Sequence, residues 1–68
     1  MYEYRVYKEI KKKKLFGWGE DWITHETYLG IIDEEYARTK FNQLKKFAED
    51  NLTGLVRNFK LLKIEVIA

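Results

Sequence analysis

Tyr2-Glu3-Tyr4-Arg5-Val6-Tyr7-Lys8-Glu9-Ile10-Lys11 alternates along its whole length. Tyr2, Tyr4, Val6 and Ile10 fall on one side. Glu3, Arg5, Tyr7, Glu9 and Lys11 fall on the other, and Lys8 is the one exception on the apolar side. A period of two is the mark of a half-buried strand, because successive side chains point to opposite faces. Residues 21–32 repeat the pattern: Ile23, Thr27, Leu29 and Ile31 share a face, while Trp22, Thr24, Glu26 and Tyr28 share the other.

These two strands fit a hairpin. One register sets both apolar faces on the same side well, and a two-residue shift of the pairing is also allowed. In the first, Ile10 lies opposite Ile23, Val6 opposite Thr27, Tyr4 opposite Leu29 and Lys12 opposite Asp21. On the outer face Lys11 meets Trp22 and Arg5 meets Tyr28. Cross-strand pairs of this kind contribute roughly 0.2–1 kcal/mol each.

Downstream, Asp33-Glu34-Glu35 opens a helix: Asp33 suits the N-cap, and acidic residues suit the first turn. Ala37, Phe41, Leu44 and Ala48 form its apolar stripe, flanked by Tyr36, Phe47 and Leu52. Glu34 with Arg38 and Lys46 with Asp50 are spaced as i,i+4 ion pairs. Asn51 or Gly54 should end the helix. Asn58 to Ala68 reads as a third strand, with Leu62, Ile64 and Val66 on the apolar face and Lys63 and Glu65 opposite. Leu55 and Val56 belong to the connection.

The expected fold is therefore α+β with element order β-β-α-β. It is a three-stranded antiparallel sheet, in the order 2-1-3, with one helix packed on one face and the other face open. Residues 1–68 form a single small domain. No proline, repeat or low-complexity stretch divides it. A chain of 68 residues buries only about 60% of its unfolded surface. It has no cysteine to staple it, so its five Tyr, four Phe and two Trp carry much of the burial.

No apolar run approaches the roughly 20 residues that span a bilayer. Met1-Tyr2-Glu3-Tyr4-Arg5 has no secretory h-region, so a cytoplasmic location and no membrane contact are expected. The net charge of +2 hides an acidic island: residues 1–16 sum to +4, residues 17–35 to −6 and residues 36–68 to +4. A dedicated DNA binder has a larger and more uniform excess of positive charge.

Catalysis finds few groups to work with. Serine and cysteine are absent, so a Ser-His or Cys-His nucleophile cannot be built. The single histidine, His25, reads as a partly buried structural residue. No zinc-ligand cluster and no glycine-rich phosphate loop are visible. No enzymatic activity, no metal and no cofactor are expected.

The turn between the strands carries the sharper signal. Lys11-Lys12-Lys13-Lys14-Leu15-Phe16-Gly17-Trp18-Gly19-Glu20-Asp21-Trp22 packs four lysines, three large aromatics and an acidic pair into one hairpin end. Phe16, Trp18 and Trp22 suit aromatic anchors entering a partner's pocket. Equally, the rings could fold back and cap the open sheet face. Lys12, Lys13 and Lys14 would steer approach to an acidic surface. They could also simply answer Glu20 and Asp21 as a solvated strand end.

The outer sheet face, with Arg5, Tyr7, Lys11 and Tyr28 joined by Lys63, mixes cations and aromatics as single-stranded nucleic-acid platforms do. Glu3, Glu9, Glu26 and Glu65 on that face would repel phosphate. The expected function is a protein-binding module, acting on a protein partner through the hairpin tip and open face. Size and composition alone also suit a regulator or inhibitor of the phage or mobile-element type. A nucleic-acid-binding module is the alternative. A homodimer is expected, through the open face or the free edges of strands two and three.

Overall fold

The computed structural model describes residues 1–14 and 16–67. Leu15, expected in the turn, and Ala68, the expected last residue of strand three, lie outside the described residues. The chain runs β1 (Tyr2–Lys13), β2 (Glu20–Gly30), α1 (Glu34–Asn51) and β3 (Val56–Glu65). Both pairings are antiparallel and the strand order is β2-β1-β3.

The hairpin register follows the alternation. Ile10 faces Ile23, Val6 faces Thr27, Lys12 faces Asp21, Lys11 faces Trp22 and Arg5 faces Tyr28. One pairing differs: Tyr4 lies opposite Gly30, because a bulge between Tyr4 and Arg5 leaves Leu29 as the extra residue on β2. Strand β2 therefore ends at Gly30, and Ile31 stands past it with half its surface exposed.

Helix α1 begins as its residues dictate. The Asp33 carboxylate accepts a hydrogen bond from the Tyr36 backbone N–H at 3.2 Å, and Glu34 and Glu35 fill the first turn. The helix stops at Asn51; the N–H of Leu52 donates to the Ala48 carbonyl at 2.8 Å. Ala37 and Ala48 are buried, and Phe41 and Leu44 are half-buried beside them. These small residues let the helix sit close on β1 and β3, which form its main support. Phe41 meets Phe59 of β3 edge to face, with ring centroids 6.3 Å apart.

Strand β3 presents the opposite face to the one its Leu62–Ile64–Val66 alternation suggests. Leu61 lies opposite Val6 and Lys63 opposite Tyr4, so Leu61 and Lys63 stand on the helix side. Leu62 and Ile64 pair with Arg5 and Glu3 and stand on the open side. Apolar residues occupy both faces of this strand, so alternation alone does not choose between them; the Phe41–Phe59 contact and the Tyr4–Val6 core do. A second bulge sits between Tyr7 and Glu9, where Asn58 adopts a left-handed φ of 56°.

The core is small: among the described residues, Tyr4, Val6, Ala37 and Ala48 are the buried hydrophobic ones. One helix is roughly 10 Å wide and covers about two strands spaced ~4.8 Å apart. With α1 over β1 and β3, the helix side of β2 is left open. Ile23 keeps 46% of its surface, and His25 is exposed rather than partly buried.

Candidate functional site: the hairpin arm and open sheet face

The pairing of β3 with β1 stops at Ile10–Val56, whereas β1 and β2 stay paired out to Lys13–Glu20. The end of the hairpin is therefore a two-stranded arm without a third strand beside it. Its turn is closed by the Lys14 N–H donating to the Gly19 carbonyl at 3.3 Å. Gly17 and Gly19 take φ of 89° and 110°, values that a side chain with a Cβ disfavours. The principal extents of the molecule are 45 × 28 × 12 Å, a flat plate.

At the tip, Trp18 is 99% exposed and Phe16 is 90% exposed. The rings do not fold back onto the sheet. Trp22, grouped with them by sequence, is not at the tip. It lies half-buried on the open sheet face with the Arg57 guanidinium 4.0 Å from its ring centroid and the Lys11 ammonium at 5.9 Å. The tip lysines divide: Lys14 reaches Asp21 at 3.8 Å and Lys11 reaches Glu20 at 2.7 Å. Lys12 and Lys13 make no ion pair among the described residues.

The open face is a lattice of compensated charges. Arg5 bonds Glu26 and lies 3.1 Å from Glu3, with its guanidinium 5.4 Å from the Tyr28 ring centroid. Tyr7 stands opposite Glu26 in register. The Tyr7 hydroxyl, and after it the Arg5 guanidinium, holds the Glu26 carboxyl below its ordinary range. Reciprocally, Glu26 raises the Tyr7 phenol and strengthens the hold of Arg5 on its proton. Farther along, the Asn58 amide donates to Glu9, and Arg57 lies 3.2 Å from the same carboxylate. Asn58 first, then Arg57, lowers the Glu9 carboxyl.

Of the residues assigned to this face from sequence, Arg5, Tyr7, Lys11 and Tyr28 are there. Lys63 is not. Its ammonium lies 3.4 Å from Glu34 at the start of α1 and 4.2 Å from the Tyr2 ring centroid, on the helix side, and Glu34 raises it. Glu34 thus pairs with Lys63 rather than with Arg38. Sequence reasoning missed Arg57 and Asn58. The antiparallel pairing of β1 with β3 brings them to Glu9, and that pairing is the signal that would have found them.

Among the described residues, no group of three or more His, Asp or Glu side chains stands together to hold a metal ion. No helix there is long and apolar enough to cross a membrane. Comparison of the chain with protein-family models, with curated proteins and with solved structures finds no significant match.

Proposed function

We propose that this chain is a non-enzymatic protein-binding module whose anchor is the hairpin tip. The observation that carries the reading is the exposure of Trp18 and Phe16, 99% and 90%, at the end of a paired two-stranded arm. Two bare aromatic rings held forward by backbone pairing resemble the aromatic anchors that fill a partner's pocket at interface hot spots. Lys12 and Lys13, which make no ion pair among the described residues, would draw the tip toward an acidic surface, with Lys14 beside them. Charges of this sort govern the rate of encounter more than the affinity. A small regulator or inhibitor of another protein acts in this manner.

The nucleic-acid alternative draws less support from the open face. Arg5, Lys11 and Arg57 each sit against a carboxylate there, so phosphate would have to displace Glu26, Glu20 or Glu9. The test uses the two tryptophans as reporters. Single-stranded DNA, duplex DNA and RNA, titrated at low salt, should leave their fluorescence unchanged. Immobilised chain should capture from source-cell extract one protein that the folded Trp18→Ala variant does not. A saturating quench that weakens as salt rises would move the function to nucleic acid and overturn the reading.

A further inference from the structure

We propose that the free edge of β2 pairs with β2 of a second copy around a two-fold axis at His25, giving a continuous six-stranded sheet. The two edges of this sheet are built differently. β3 is guarded: it carries Arg57, Lys60 and Lys63, and the Asn58 bulge breaks its line. Charged side chains, lysine above all, proline and bulges protect an exposed edge; the charges of β2, Glu20, Asp21 and Glu26, are taken up within the hairpin by Lys11, Lys14 and Arg5. β2, Glu-Asp-Trp-Ile-Thr-His-Glu-Thr-Tyr-Leu-Gly, has no lysine, arginine or proline, and its one irregularity is near its end at Leu29. The regular segment Trp22–Tyr28 thus offers a row of unpaired N–H and C=O groups to a new strand.

That segment is self-complementary in one register. Its midpoint is His25, so antiparallel pairing of the full segment sets Trp22 against Tyr28 of the second copy, and Ile23 against Thr27. Thr24 meets Glu26 and His25 meets itself. Aromatic and β-branched pairs face each other and no like charges oppose. Sliding by two residues one way sets Glu26 against Glu26. Sliding the other way sets Trp22 against Glu26 and Tyr28 against Glu20.

Surface area points to a partner as well. The chain exposes 5515 Å², whereas a monomer of 8.3 kDa exposes about 4,600 Å². Of the surplus of about 900 Å², the two bare tip rings account for roughly 300–500 Å², and the remainder is below the ~800 Å² that each partner gives up in a standard interface, as suits a small edge-to-edge contact. The radius of gyration, 14.3 Å, likewise exceeds the ~11 Å of a compact 68-residue domain. This pairing does not depend on the tip's being a protein-binding anchor.

Sedimentation equilibrium of the native chain should give a reversible dimer. Because the chain lacks cysteine, one thiol can map the axis. Opposed residues in antiparallel strands have Cα atoms ~4.5–5.5 Å apart, within the range a disulfide spans. His25→Cys should therefore cross-link rapidly under mild oxidation. Thr27→Cys should not, since its symmetry mate lies roughly 13 Å away along the strand. Thr24→Glu places two like-charged pairs across the axis and should weaken the dimer roughly 2- to 30-fold, with circular dichroism confirming the fold. A native chain that stays monomeric at hundreds of micromolar overturns the proposal. So does a dimer in which both cysteine variants cross-link equally slowly.

Discussion

Replacing Phe16 and Trp18 together by serine should leave the stability of the domain almost unchanged, and the expected size of the effect follows from their exposure. A buried aromatic removes roughly 150–250 Å² from water, worth ~25 cal/mol per Å². Trp18, 99% exposed, retains contact over about 1% of its surface, which amounts to less than ~0.1 kcal/mol. Phe16, 90% exposed, retains about a tenth, or ~0.5 kcal/mol. The double substitution should thus cost no more than about 0.6 kcal/mol. With a urea m-value near ~1 kcal/mol/M for a chain this small, the midpoint should move by about 0.6 M or less. Urea titration followed by far-ultraviolet circular dichroism measures this directly. Rings packed against the sheet would behave otherwise, since truncating a buried aromatic costs ~3–5 kcal/mol. A loss above about 1.5 kcal/mol would therefore refute the extended tip, and with it the anchor role of both residues.

Two further outcomes concern the open face. Glu26 and Glu9 have folded-state pKa values below their ordinary range, so their contribution to stability is complete above about pH 4.3 and is lost as pH falls through the folded values. The urea midpoint should decline between pH 5 and pH 3, and Glu26→Gln should make that decline shallower. An unchanged slope in the variant would show that the Tyr7–Glu26–Arg5 cluster does not form. At the β3 bulge, Asn58 has φ of 56°, where a β-branched residue is strained. Asn58→Val should be ~1–2 kcal/mol less stable than Asn58→Gly in the same titration, and equal stabilities would place the bulge elsewhere.

Much of the scaffold was legible because each half of it had two signals that agreed. In the hairpin, alternation in residues 2–11 matched alternation in residues 21–32, and five of the six expected pairings stand. The sixth failed at Leu29, where a bulge adds a residue that a period of two cannot represent. In the helix, Asp33 marked the start and the Ala37–Phe41–Leu44–Ala48 stripe the buried side, and of the two stops expected, Asn51 and Gly54, the helix takes the first. β3 had one signal only. Phe59 and Leu61 compete with Leu62 and Ile64 for the core, and the choice rests on what lies across the sheet, at Val6 and Phe41. Reversing that strand moves Lys63 to the helix side and brings Leu62 and Ile64 to the open face. The tip was ambiguous for a related reason. Whether Trp18 folds back depends on how far the arm outruns β3, a three-dimensional quantity absent from residues 11–22 alone. His25 was misplaced because one helix covers two strands and cannot cover a third.

The two uncovered features differ in physical kind, and this constrains how they could work together. The tip offers bare aromatic surface, while the β2 edge offers bare backbone donors and acceptors. A domain with four buried hydrophobic residues among those described has little stability to spare for either. Pairing at β2 would satisfy the backbone groups and bury Trp22 and Tyr28 further, strengthening a fold that its own core holds weakly. It would leave the tip untouched, because β2 runs away from the turn at Glu20. In the antiparallel dimer the two turns would leave from opposite ends of the sheet. With ~3.3 Å per residue from His25 to the turn, the two tryptophans would stand roughly 40 Å apart. Such a dimer cannot bring both tips to one pocket. It can bridge two copies of a partner, or two sites about 40 Å apart on one oligomer, and only in that geometry does the second tip gain from the high effective concentration that the first supplies.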